Sequence, residues 1–299
     1  MGERIWSLDD PRIAFYRNLR ERTLRGESIF LAEGKVVTER LLRSPYQVES
    51  LLLDERYEGD LAPLVPPGVP IYVTTEKLLE QIVGFKYHQG VLAAGRRKPE
   101  PSFTEVLPEL AGRPKLRLIV CPEVTKPENL GLIFRTAAAF DLEGVILGPQ
   151  ACDPFSRRVL RVSMGAVLFS RFARSRHLVE DLATLRSKLG VKIVATVVDP
   201  NAERLEDFRF PEKVALLVGG EYYGLPQPLV DIADHRVTIP MSDKVDSLNL
   251  GVATGIFVYQ MCRQHASRQG ESDQPPHRPS SKGGLNKSSR PGEALPPAC

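Results

Sequence analysis

Short apolar runs alternate with amphipathic stretches along most of the chain, and the spacing predicts α/β layers. Pro11 to Arg25 places Ile13, Phe15, Tyr16, Leu19 and Leu24 among arginines, the pattern of an amphipathic helix. S-I-F-L-A-E-G then reads as a strand, followed by a helix through Val36, Val37, Leu41 and Leu42 that stops before Pro45. V-E-S-L-L-L-D and V-P-I-Y-V-T read as strands, E-K-L-L-E-Q-I as a helix between Thr75 and Gly84, and Q-G-V-L-A-A-G as a closing strand. Residues 1–97 therefore form a small α/β unit. Residues 98–114 carry four prolines among charged residues and predict an extended linker. In residues 115–265, L-R-L-I-V-C, G-V-I-L-G, V-K-I-V-A-T-V-V, V-A-L-L-V-G and R-V-T-I-P are mostly continuous apolar runs rather than alternating ones. Strands of that kind are buried on both faces, so they predict a mostly parallel sheet with helices on each side. The helices fall at Pro127–Phe140, Pro154–Met164, His177–Leu189 and Pro226–Ala233, with a last one from Ser247 towards His265. Residues 266–299 are Ser, Pro, Gly, Gln, Lys and Arg with almost no large apolar side chain, which predicts a disordered, mildly basic tail.

Charge adds little globally: 40 Lys+Arg against 37 Asp+Glu leave +3. Locally it adds more, because Pro154 to Arg176 holds six arginines and no acid. Such a run is either a solvated basic face or a phosphate-tracking surface, and the second is favoured, with Arg157, Arg158 and Arg161 as the RNA-binding candidates. Four cysteines, Cys121, Cys152, Cys262 and Cys299, are too scattered for a disulfide frame or a metal site, so no metal is expected. Neither a signal peptide nor a membrane-length apolar run is present, and a cytoplasmic location is the expectation.

Three blocks carry the candidate chemistry. P-E-N-L-G-L-I-F-R-T-A (127–137) holds Asn129, readable as a helix cap, and Arg135, which lies among apolar helix positions and there calls for an anionic or hydroxyl partner. L-V-G-G-E-Y-Y-G-L-P (217–226) puts glycines at a strand end, where a ligand can approach the backbone. Its spacing is not the G-x-G-x-x-G of a dinucleotide fold. I-P-M-S-D-K-V-D-S-L-N-L-G-V-A (239–253) is a strand end, a charged loop and an apolar helix, with Ser247 in the N-cap position and Asn249 in the first turn. Strand ends of this kind are where α/β proteins place ligands. Ser247 makes a poor nucleophile, since His177 and His235 suggest no triad.

In this order the three blocks resemble the signature of the SpoU family, the TrmH-like 2′-O-ribose RNA methyltransferases of the SPOUT trefoil-knot superfamily. The resemblance spans residues 117–263, and D-P-R-I-A-F-Y-R-N-L with F-L-A-E-G looks like the L30e-like substrate-binding domain that many members carry. It implies S-adenosylmethionine as cofactor, a ribose 2′-hydroxyl of ribosomal or transfer RNA as acceptor, a C-terminal trefoil knot, and a homodimer whose site draws on both subunits. The N-terminal unit favours ribosomal RNA. A non-catalytic RNA-binding protein of the same fold is the reading from another class, and the intact motif residues speak against it. By resemblance, Gly219, Ile239 and Leu248, with Ala195 and Thr196 more loosely, match cofactor-contact positions. Asn129, Arg135, Glu221, Ser247 and Asn249 match catalytic and structural polar positions. Asp141 stands where many members have Gly, and Tyr222 and Tyr223 fill the middle of the second motif, either to stack on a base or to pack. Gly251 and Gly255 on the last helix could admit a partner helix across a dimer.

Overall fold

A computed structural model describes residues 2–19 and 28–268. The first unit is a five-stranded mixed sheet in the order β1-β4-β3-β5-β2. Its elements in chain order are β1 (Glu3–Arg4), β2 (Ile29–Glu33), α1 (Lys35–Leu42), β3 (Val48–Asp54), α2 (Glu58–Leu61), β4 (Ile71–Thr74), α3 (Glu76–Val83) and β5 (Val91–Arg96). The α-helix expected over Pro11–Arg25 is instead a 3-10 turn at Pro11–Tyr16. Asp10 caps it by accepting the Arg12 N–H, and Asn18 at φ 52° then turns the chain away. Residues 20–27 lie outside the described residues.

The second unit follows as α4 (Phe103–Ala111), β6 (Leu116–Cys121), α5 (Pro127–Ala139), β7 (Gly144–Leu147), α6 (Arg157–Val162), β8 (Phe172–Arg174), α7 (Leu178–Leu189), β9 (Lys192–Thr196), β10 (Glu203–Arg204), β11 (Lys213–Leu217), α8 (Gln227–Asp231), β12 (His235–Thr238) and α9 (Leu250–Arg268). Its seven strands run in the order β10-β12-β9-β11-β6-β7-β8, and every pairing is parallel. Because successive side chains of a strand point to opposite faces, each apolar run feeds two cores. Ile119 and Cys121 of β6 and Val214 and Leu216 of β11 pack under α5, α6 and α9. Leu118, Val120, Ala215 and Leu217 pack under α4, α7 and α8. This is why the runs are apolar throughout.

Residues 98–114 are not an extended linker. Ser102 and Glu105 form a capping box that starts α4, and Phe103 and Leu110 are buried in the second core. The prolines at 99, 101 and 114 flank the helix, and Pro108 occupies its exposed side. Nor are the two units loosely joined. Phe30 of β2 lies 5.1 Å from Phe155, centroid to centroid, and one core runs from β2, β3 and β5 into α5, α6 and the large sheet. The tail expected from residue 266 is helical as far as Arg268, and the rest of it lies outside the described residues.

Candidate active site

The carboxyl ends of β9, β11 and β12 open into a cavity of about 720 Å³ together with the start of α5. Ligands of α/β sheets bind outside strand carboxyl ends, where backbone amides and short loops converge. The loop after β11 is folded tightly on itself. Gly220 and Gly224 exchange two backbone hydrogen bonds, of 2.8 and 3.2 Å, with Gly224 at φ 69°. A Cβ on Gly219 would lie 2.6 Å from the carbonyl carbon of Gly224. A side chain at Gly219 is therefore excluded by the loop's own closure, whatever occupies the cavity beside it.

A polar relay ties the three motif blocks together. The Glu221 carboxylate accepts the Lys126 N–H at 3.0 Å, the Asn129 Nδ2 at 2.9 Å, and both the N–H and the hydroxyl of Thr125 at 3.2 Å. Asn129 is nearly fully buried, and its Oδ1 accepts Nδ2 of Asn249 at 3.0 Å. Asn249 Oδ1 in turn accepts the N–H groups of Gly251 and Val252. Burial pushes the Glu221 carboxyl up, but the hydrogen bonds from Asn129, Lys126 and Thr125 outweigh it and hold it below the usual carboxylate range. Glu221 is thus an ionised clamp and not a proton donor.

The structure sorts the expected site residues. Gly219, Ile239, Leu248, Thr196, Asn129, Glu221, Ser247 and Asn249 all line the cavity. Ala195 does not: it is fully buried within β9, and Thr196, Val197 and Val198 line the wall in its place. Ser247 does not cap the last helix; α9 begins at Leu250 and Asn249 caps it, leaving Ser247 exposed at the cavity. Arg135 is not held among apolar side chains either. It lies on the exposed side of α5 and is no part of this chain's own cavity wall.

The arginine run is paired with acids elsewhere in the fold. Arg157 donates to the nearly buried Glu33 of β2 and to the Leu19 carbonyl, and Arg161 also reaches Glu33. Arg158 pairs with Glu128, and Arg174 with Glu100. The run has no acid of its own, yet the fold supplies acids from three other segments, and Arg157 and Arg161 fasten the two units together through Glu33. Lys126, Met241, Leu225 and Phe257 also line the cavity and carried no signal in the sequence.

A parallel α/β sheet with a glycine loop at a strand-end cavity is an arrangement in which α/β proteins bind nucleotides and cofactors. Residues 117–259 match the SpoU rRNA Methylase family. Over 264 residues the chain is 36% identical to an uncharacterized tRNA/rRNA methyltransferase of Mycobacterium tuberculosis (strain ATCC 25618 / H37Rv), covering 85% of this chain and 90% of that protein. It is 31% identical to the 23S rRNA (guanosine-2′-O-)-methyltransferase RlmB of Acinetobacter baylyi, over 71% of this chain and 85% of that one. The crystal structure of an AdoMet-bound rRNA methyltransferase from Sinorhizobium meliloti superimposes with a TM-score of 0.74 at 28% identity, covering 88% of this chain and 98% of that one. The chain belongs to the SpoU methylase family.

Proposed function

We propose that the protein transfers a methyl group from S-adenosylmethionine to a ribose 2′-hydroxyl of ribosomal RNA, in the cytoplasm and as a homodimer. The observation that carries this reading is the Glu221–Asn129–Asn249 relay, which locks all three motif blocks around one cavity. The cavity suits the cofactor: Ile239, Leu248, Leu225 and Phe257 supply apolar wall, and the strand ends and the Gly219 loop supply backbone polar groups. Thr196 turns its hydroxyl to the Leu217 carbonyl at 2.9 Å, which joins two of those strand ends. When bound, the cofactor supplies an electrophilic methyl on a sulfonium.

The chain's own residues then have to hold the acceptor ribose in line and stabilise charge on its oxygen. Ser247, exposed at the cavity, offers a hydroxyl to that ribose. Arg135 is the cation for the RNA phosphate and the developing alkoxide; a guanidinium does not serve as the base because it stays protonated. Arg135 is no part of this chain's cavity wall, and in this reading a second copy brings its cavity to it. In support, the exposed side of α5 also carries Ala138 and Ala139, and α9, packed on α5, leaves Val252, Ile256 and Tyr259 exposed at i, i+4 and i+7. Phe140 and Tyr259 join the two helices with ring centroids 6.4 Å apart. An apolar stripe left open on an amphipathic helix calls for a partner. Gly251 does not serve that interface, because a Cβ there would strike Leu132 of the same chain at 2.6 Å. The return of α9 from β12 onto α5 supports the family's knot, and the first unit is the L30e-like part of the same reading.

Incubation with labelled S-adenosylmethionine and separate pools of unmodified ribosomal and transfer RNA tests this reading, with nuclease digestion to locate the label. Ribose label in ribosomal RNA is the expected result. Label only in transfer RNA would replace the acceptor, and loss of cofactor binding would leave the non-catalytic RNA-binding reading. A monomer by light scattering at micromolar concentration would remove the two-subunit site.

A further inference from the structure

Two tyrosines stand exposed at the cavity mouth. Tyr222 is 74% exposed and Tyr223 is 93% exposed, so neither packs. Their rings are not stacked on each other, with centroids 6.5 Å apart and planes at 51°. One face of Tyr222 carries the Lys126 ammonium, 4.7 Å from the ring centroid. The backbone beneath them is held firmly, by the paired Gly220–Gly224 hydrogen bonds on one side and by the four donors on Glu221 on the other. Large aromatic side chains with only two torsions to order, raised on a fixed root, are suited to binding a flat partner at small entropic cost.

The flat partner follows from the reaction, and this step rests on the proposed RNA methylation. A ribose that enters a concave cavity takes its nucleotide out of the helical stack, and the base then loses its stacking neighbours. Single-stranded RNA bases are received on aromatic rings, which accept any of the four because each has a π-face. We propose that Tyr223 and Tyr222, with Lys126 beside them, form the platform on which the extruded base of the acceptor nucleotide stacks, Lys126 taking its phosphate. The substrate is accordingly an unpaired nucleotide of a loop or bulge, and base identity is read weakly if at all at this platform.

The test is steady-state methylation of an in vitro transcribed, unmethylated large-subunit ribosomal RNA by the full chain. Tyr223→Ala is expected to raise KM for RNA about tenfold, equivalent to about 1.4 kcal/mol, with kcat moved far less. Tyr223→Phe, which keeps the ring, is expected to retain the wild-type KM, and Tyr222→Ala to behave as Tyr223→Ala. Calorimetric affinity for S-adenosylmethionine and the light-scattering mass are expected to stay unchanged in all three. An unmoved KM in both alanine variants overturns the proposal, as does a phenylalanine variant as weak as the alanine one. A loss traced to cofactor affinity would assign the rings to the cofactor, and a loss traced to mass would assign them to a subunit contact; either also overturns it. A wild-type protein that methylates no RNA removes the parent reading, whereas an active wild type with unaffected alanine variants removes this platform alone.

Discussion

Asn129→Asp replaces the buried amide at the centre of the relay by an isosteric carboxylate and removes the donor of one hydrogen bond. Asn129 Nδ2 donates to Glu221 Oε1 at 2.9 Å, so the substitution sets two carboxylate oxygens at that distance. At an effective dielectric of about 20 the repulsion between two full charges there is about 6 kcal/mol. Protonating one carboxyl instead costs at least about 3.4 kcal/mol at pH ~7, counted from the ordinary value of 4.5 at about 1.4 kcal/mol per pH unit. Protonation is the cheaper route, so the pair shares one proton and the expected destabilisation is about 3–4 kcal/mol at neutral pH. The sign follows directly: the variant's shared carboxyl has a raised pKa in the folded state, so its deficit shrinks as the solution becomes more acidic. Near pH ~5 it should fall to about 1 kcal/mol. Circular-dichroism melts of wild type and variant from pH 5 to 8 read this, at about 2–4 °C per kcal/mol for a domain of this size. The expected deficit is roughly 7–14 °C at neutral pH and only a few degrees at pH ~5. A deficit that does not change with pH, or none at all, would refute the relay as drawn.

The other expectations rest on different parts of the molecule. Gly219→Ala places its Cβ 2.6 Å from the Gly224 backbone, so the loop has to shift; it should lower the melt by several degrees and cut affinity for S-adenosylmethionine at least about tenfold by calorimetry. Glu33→Gln leaves Arg157 and Arg161 facing a neutral group at the junction of the two units and should cost about 3 kcal/mol, the low end for breaking a buried pair because Arg157 keeps some contact with water; denaturant unfolding measures it. His265 is nearly fully buried, and burial holds its imidazole below the ordinary 6.5. The unfolded chain therefore binds more protons, so the stability this group contributes is full above pH ~6.5 and declines as pH falls below it, and His265→Gln should flatten that part of the melt profile. Arg135→Lys keeps the charge but loses the planar fork, and should lower kcat at least about tenfold with unchanged cofactor affinity.

What the sequence made legible was whatever depends on near neighbours, and what it hid depends on partners brought from afar. The continuous apolar runs of β6, β9 and β11 announced a sheet covered on both faces, because each residue's burial is written in its own side chain. Asp141 shows the same kind of legibility: it takes φ 49° after α5, at the position where glycine was the family's usual residue, which is the backbone conformation glycine favours. The arginine run is the opposite case. Counted along the chain it is a block of unopposed positive charge, yet Glu33 stands 124 residues before Arg157 and is delivered to it only when β2 packs on α6. No local count of charge could find that pairing, and the same applies to the cap of α9, where Ser247 and Asn249 are equally good capping residues on paper. Asn249 takes the cap because its amide is also needed by Asn129, 120 residues earlier, so the relay and not helix propensity sets where the helix begins. That leaves the Ser247 hydroxyl uncommitted at the cavity, which is the condition a substrate-facing group must meet and a capping serine would not.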